Sequence, residues 1–135
     1  MTSAALELQK AVFAALAADP ALTDALGGAR IYDVPPPNVA FPHITFGQTS
    51  VHDWSTASEL GHEHLFTLHV WSKAAGKREA LSLMALAAER LQDAALTLDG
   101  HALVSLRQEF SEVRLDEDLA VHHGLLRFRA VTEAL

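Results

Sequence analysis

The chain contains no cysteine. Disulfides, thiolate catalysis and cysteine-ligated zinc are thereby excluded. Positive charge is scarce: ten lysines and arginines stand against seventeen aspartates and glutamates in 135 residues, a formal net charge of −7. Non-specific nucleic-acid binding needs a dense basic field to displace counterions from phosphates, and this composition does not supply one. Long apolar runs are missing too. The run Ala11–Ala18 is too short to span a bilayer. Lys10 before it imitates the basic region of a secretory leader, but Glu7 sits in that region and helical periodicity runs through it, so export is not expected. The pair Gly27-Gly28 lacks the lysine and following Ser/Thr of a phosphate-binding loop, and no serine occupies a nucleophile elbow. The late carboxylates Glu109, Glu112, Asp116, Glu117 and Asp118 read as a solvated acidic stretch, because paired-carboxylate chemistry needs a cleft that nothing in the pattern suggests. No enzyme activity and no cofactor is expected.

What is present is core material. Half of the residues are hydrophobic and only 20% are charged, enough for a packed interior. The length fits one domain over residues 1–135, able to bury roughly two-thirds of the surface its unfolded chain exposes.

The segment His62–Ala80 is the most informative. Phe66, Leu68 and Val70 alternate on one face of a strand, with Glu63, Thr67 and His69 on the other. Trp71 closes the strand, Lys73–Gly76 turns, and Lys77 opens a helix to about Asp93. That helix places Leu81, Met84, Ala88 and Leu91 on one stripe, with Leu83 and Leu86 off it, so its apolar circumference predicts a second partner. Before this segment, Ser3 caps a helix to about Ala18 whose apolar face is Leu6, Phe13 and Ala17 flanked by Val12 and Leu16. Pro20 starts a shorter helix that Gly27-Gly28 ends. Arg30–Asp33 reads as a short strand, Pro35-Pro36-Pro37 as a stiff extended segment, and His43–Val51 as a strand with Ile44 and Phe46 on one face. Asp53–Gly61 is polar, carries Trp54 in the open and reads as a long hairpin loop or as two strands extending past the sheet. Asp99-Gly100 suits a tight turn, and Ala102, Val104, Leu106 and Phe110 alternate along a long strand after it. An acidic turn over Leu115–Asp118 leads to a last strand, Leu119–Thr132, with Leu126, Phe128 and Ala130 inward and Arg127 and Arg129 outward. The order α-α-β-β-β-α-β-β predicts an α+β fold, a mainly antiparallel sheet with helices packed on one face.

The chemistry-bearing residues are few. His62 and His64 share a strand face and could serve one metal; His69 lies on the opposite face, and His122-His123 divide between both. No third ligand is evident, so no metal is assigned, and a small His-dependent metal- or ligand-binding domain stays an alternative. Arg127 and Arg129 either pair across strands with Glu109 or Glu112 or form a contact row for another subunit. Trp54 either folds back on its own sheet or anchors a partner. The protein-interface candidates are therefore Asp53, Trp54, Trp71, Leu83, Leu86, Arg127 and Arg129.

In order and spacing, the segments LQKAVFAALAADPALTDALGG, RIYDVPPP, FPHITFGQ, HLFTLHVWSKAAGKREA, LDGHALVSLRQEFSEVR and HHGLLRFRAVTE resemble the tail-completion, or tail-terminator, family of long-tailed phages and phage-derived gene transfer agents. The resemblance runs nearly end to end. It implies a sheet flanked by helices and a homo-oligomeric ring, typically a hexamer, at the head-proximal end of the tail tube. There the ring would stop tube growth, contacting the major tail tube protein on one side and the head connector or stopper protein on the other. DNA would pass through the lumen without specific binding. The protein would sit in the virion after assembly in the host cytoplasm, with no membrane involved. A neck or connector-completion protein is the alternative within the same class. The family brings no catalytic residues with it.

Overall fold

The computed structural model describes residues 3–135. Helix α1 (Ala4–Ala17) starts where the Ser3 hydroxyl accepts a hydrogen bond from the Leu6 amide. Helix α2 (Pro20–Leu26) starts where Asp19 accepts from the Ala21 amide, and it stops at Gly27, whose φ of 84° is the left-handed conformation that glycine tolerates. Then follow β1 (Ile31–Tyr32), β2 (His43–Asp53), β3 (Gly61–Ser72), α3 (Arg78–Leu91), β4 (His101–Asp116) and β5 (Val121–Ala134). This is the α+β succession expected from the sequence. The strands form one sheet in the order β1-β2-β3-β5-β4, antiparallel except for the short parallel pairing of β1 with β2.

One sheet face is covered by helices and the other is open. Along β3, His64, Phe66, Leu68, Val70 and Ser72 are buried while the residues between them are half-exposed. On β5 the covered residues are His122, Gly124, Leu126, Phe128, Ala130 and Thr132. The core joins these to Leu8, Val12 and Leu16 of α1, Leu22 and Leu26 of α2, and Leu83, Met84, Ala87 and Leu91 of α3. Phe66 and Phe128 lie side by side across the strand pair, ring centroids 5.3 Å apart.

Three expectations need correction. Helix α3 buries Ala80, Leu83, Met84, Ala87 and Leu91, whereas Leu81 is exposed, so the true stripe is rotated from the one expected. Arg78, Ser82 and Glu89 mark the outer side of α3, with Leu81 among them, and on the inner side the Met84 thioether fills a notch that Gly124 leaves in β5. Leu83, expected at an interface, is 1% exposed and belongs to the core. Leu86 is half-buried against the same core. Helix α1 is turned likewise, with Leu6 and Phe13 outward and Leu8 and Ala15 inward. On β4, bulges between Leu103 and Ser105 and between Gln108 and Phe110 break the expected alternation. Leu106 therefore points into the core while Phe110 emerges on the open face opposite Arg127.

His64 sits in the covered layer with no exposed surface, its Nε2 2.9 Å from the Thr132 hydroxyl. Burial first, and then the neighbouring His62 and His101, lower its pKa to about 4. The unfolded chain binds this proton near the ordinary value of about 6.5, so the unfolded state holds more protons between the two values and stability falls as pH drops through that window. The expected loss is about 3 kcal/mol on going from neutral pH to about pH 4. Urea denaturation at stepped pH checks this; a His64→Gln variant should show a flatter profile, and an equally steep one would remove His64 as the cause.

Candidate functional site

The open sheet face gathers most of the candidate residues. Its side chains come from Glu63, Leu65, Thr67, His69 and Trp71 on β3 and from His123, Leu125, Arg127, Arg129 and Glu133 on β5. Register adds Arg107, Phe110, Glu112, Arg114 and Asp116 from β4. The strands thus bring four arginines (107, 114, 127, 129) and four carboxylates (63, 112, 116, 133) to this face, a balanced charge although the chain is acidic.

Two of these arginines have a partner on or beside this face. Arg129 donates through Nε to Glu63 at 2.6 Å, and its guanidinium lies 5.2 Å from the centre of the Trp54 ring. The sequence offered Glu109 or Glu112 as the paired acid. The actual acid comes from β3, because β5 lies between β3 and β4 and Glu109 and Glu112 are not register partners of Arg129. Arg127 lies over Phe110, 5.2 Å from the ring centre.

The loop between β2 and β3 is built rather than loose. Asp53 accepts from the Ser55 amide, Trp54 N–H donates to the Gly61 carbonyl, Thr56 N–H to Glu59, and the Ala134 amide to Leu60. Those bonds hold up the tip, where Trp54 is 53% exposed and Leu60 is exposed as well. The Trp54 ring thus lies back over Arg129 of its own sheet while more than half of it stays exposed.

Trp71 is half-buried, its Nε1 donating to the Thr45 hydroxyl at 2.9 Å. Its ring lies parallel to His123, centroids 4.1 Å apart, and His123 Nε2 is 2.6 Å from His69 Nδ1. The pair expected at one metal, His62 and His64, has ring centres 6.2 Å apart, and His64 is committed to Thr132. Among the described residues no three His, Asp or Glu side chains converge to hold a metal. Sequence reasoning thus chose one histidine pair on β3 and missed the other. Strand parity put His69 on the open face, but only the β3–β5 register, with His69 opposite Leu125 and Trp71 opposite His123, brings the second ring to it.

The two sides of the sheet are unlike. Among the described residues no strand pairs with the outer edge of β2 beyond Thr45 or with that of β4. Along the outer edge of β4, His101 bridges Leu98, the Leu106 carbonyl accepts from the Asp93 amide, and the Gln108 amide donates to the Gln92 side chain. A groove runs between α3 and β4, lined by Leu81, Met84, Ala85, Ala88, Ser111 and Leu126. At the opposite side Phe13 of α1 stands 41% exposed beside Phe46 and Lys10. No described helix is long and apolar enough to cross a membrane.

Comparison with known proteins finds a matching family and several similar solved structures. A search of curated proteins finds no match. A chain in the solved structure titled "Virion of native gene transfer agent (GTA) particle" superposes with a TM-score of 0.90 at 33% sequence identity, over 99% of this chain and 100% of that one. The family model described as Tail completion protein gp17 matches residues 10–133, and the chain belongs to that family.

Proposed function

We propose that this chain is a non-enzymatic structural component of a phage-like tail. Copies of it, six by the family resemblance, close into a ring at the head-proximal end of the tail tube, stop the tube there and present the surface that meets the head connector. The reading is supported by the full-length likeness to a chain of a gene transfer agent virion and by the two dissimilar free edges of one sheet. A ring of identical subunits is made by one patch meeting a different patch, repeated until the rotation closes. The edge of β2 with Phe13 beside it and the edge of β4 with the α3–β4 groove beside it are two such patches. The occupant of the groove is a second copy of this chain: the groove is continuous with the unpaired part of β4, and apolar contact offsets the repulsion between subunits of net charge −7. The charge-balanced open face carries no strong basic field, so DNA crossing such a ring would not be held.

Ala85 is exposed at the floor of the groove. Its replacement by glutamate should leave the unfolding midpoint unchanged and remove ring formation, read by native mass spectrometry and by electron microscopy of tails assembled with the variant. Rings at wild-type level would exclude the groove as the subunit contact. A wild-type chain that stays monomeric and caps no tubes would overturn the ring itself.

A further inference from the structure

The His69–His123 pair has the geometry of a single proton-binding unit. Its ring centres are 4.8 Å apart, the planes meet at 29°, and the facing nitrogens are separated by 2.6 Å. With ring centres this far apart and nitrogens this close, the rings meet edge to edge, one N–H aimed at the lone pair of the other. A tetrahedral zinc would need those nitrogens at about 3.3 Å, given Zn–N bonds of about 2.0–2.1 Å. The spacing suits a proton and not a metal.

The surroundings are built around the pair. A Cβ on Gly47 of β2 would overlap the His69 ring at Nε2 and the Thr67 hydroxyl, so the glycine is what lets His69 lie across its neighbour strand. On β3 the Trp71 ring lies flat against His123 and is fixed in turn by Thr45. On β2, His43 is stacked on the far side of Trp71, 6.4 Å away. From β4, Glu112 and Asp116 favour a positive His123 while Arg114 opposes it.

We propose that His69 and His123 act as an acid-sensitive latch across β3 and β5, taking up one proton without breaking and a second only by breaking. In the neutral pair one ring donates and the other accepts. The first added proton goes to the far nitrogen of the donor ring, leaving an imidazolium whose N–H still points at a neutral acceptor; the bond becomes charge-assisted and stronger. His123, if it carries the charge, lies on the Trp71 face, which favours a cation. The second proton must occupy the acceptor's own lone pair. Two N–H groups then face each other between two positive rings, and the cross-strand link is lost. Burial lowers the proton affinity of both rings, which keeps the pair neutral at neutral pH. The proposal concerns the folded chain alone and does not depend on the ring.

The test is a histidine-resolved nitrogen NMR titration of the full chain. At neutral pH the wild type should show a scalar coupling between His69 Nδ1 and His123 Nε2 through the bond. On acidification the two rings should titrate together in two steps with midpoints more than about one pH unit apart, the coupling surviving the first and vanishing at the second. In His123→Phe, His69 should titrate in a single step. The same holds for His123 in His69→Phe, which gives a second reading should one variant fail to fold. Two independent single steps in the wild type, or no coupling at neutral pH, would overturn the latch. So would stoichiometric zinc abolishing both titrations.

Discussion

Replacing Phe128 by alanine is expected to cost about 3–5 kcal/mol of folding stability. Phe128 is completely buried at the centre of β5, its ring beside Phe66 and under the helical layer. It is also the largest side chain in the molecule with no exposed surface. Alanine would lose the transfer energy of the ring and leave a cavity among close-packed neighbours that collapse only in part. A domain with roughly 5–15 kcal/mol in hand could lose a third or more of it. Phe110 is the internal control, with the same residue type at an exposed position of the neighbouring strand, beside the Arg127 guanidinium. Phe110→Ala should cost about 1 kcal/mol or less. Urea denaturation of both variants decides the matter: similar losses for the two would mean that the core is not centred on the β3–β5 pair.

Gly124 makes the same argument in reverse. It faces the helices, and a side chain there would run into Met84. That contact leaves Met84 on the buried side of α3, as the expected stripe has it. The stripe differs at Leu81, which lies among the exposed polar residues Arg78, Ser82 and Glu89: a stripe drawn through the leucines alone overlooks the polar side that fixes the helix's rotation. By contrast β3 was legible in full. It has no bulge against β5, it buries every second side chain from His64 to Ser72, and period two is a local property. On β4 two bulges shift the parity, and nothing in Leu103–Phe110 announces them. The same division holds for the functional surface. That Arg127 and Arg129 face away from the core, and that Trp54 lies in an exposed loop, follow from strand alternation and loop composition. That Arg129 meets Glu63, or that His69 meets His123, depends on β5 lying between β3 and β4, which no local pattern encodes.

Trp54→Ala is expected to separate folding from assembly. The ring is more than half exposed, and its one recorded partner in the chain is the Arg129 guanidinium, an interaction worth about 0.5–1 kcal/mol at an exposed site. The loop itself is held by backbone and Ser55 hydrogen bonds that do not involve the indole, so the tip should keep its shape. Stability should therefore change by about 1 kcal/mol or less. The effect on joining should be far larger. An exposed tryptophan that is already positioned loses little freedom on binding, and removal of such an anchor from an interface costs about 2 kcal/mol or more per contact. In a ring that contact is repeated by every subunit, and the losses multiply. Tails assembled with the variant should consequently fail to join heads, or fail to stop at the usual length, while the purified chain still melts within a few degrees of the wild type. Counting joined particles by electron microscopy, with the melting temperature as control, distinguishes the outcomes. Joined particles at wild-type yield would remove the β2–β3 tip from the contact surface, and a collapse in melting temperature would make Trp54 part of the fold instead.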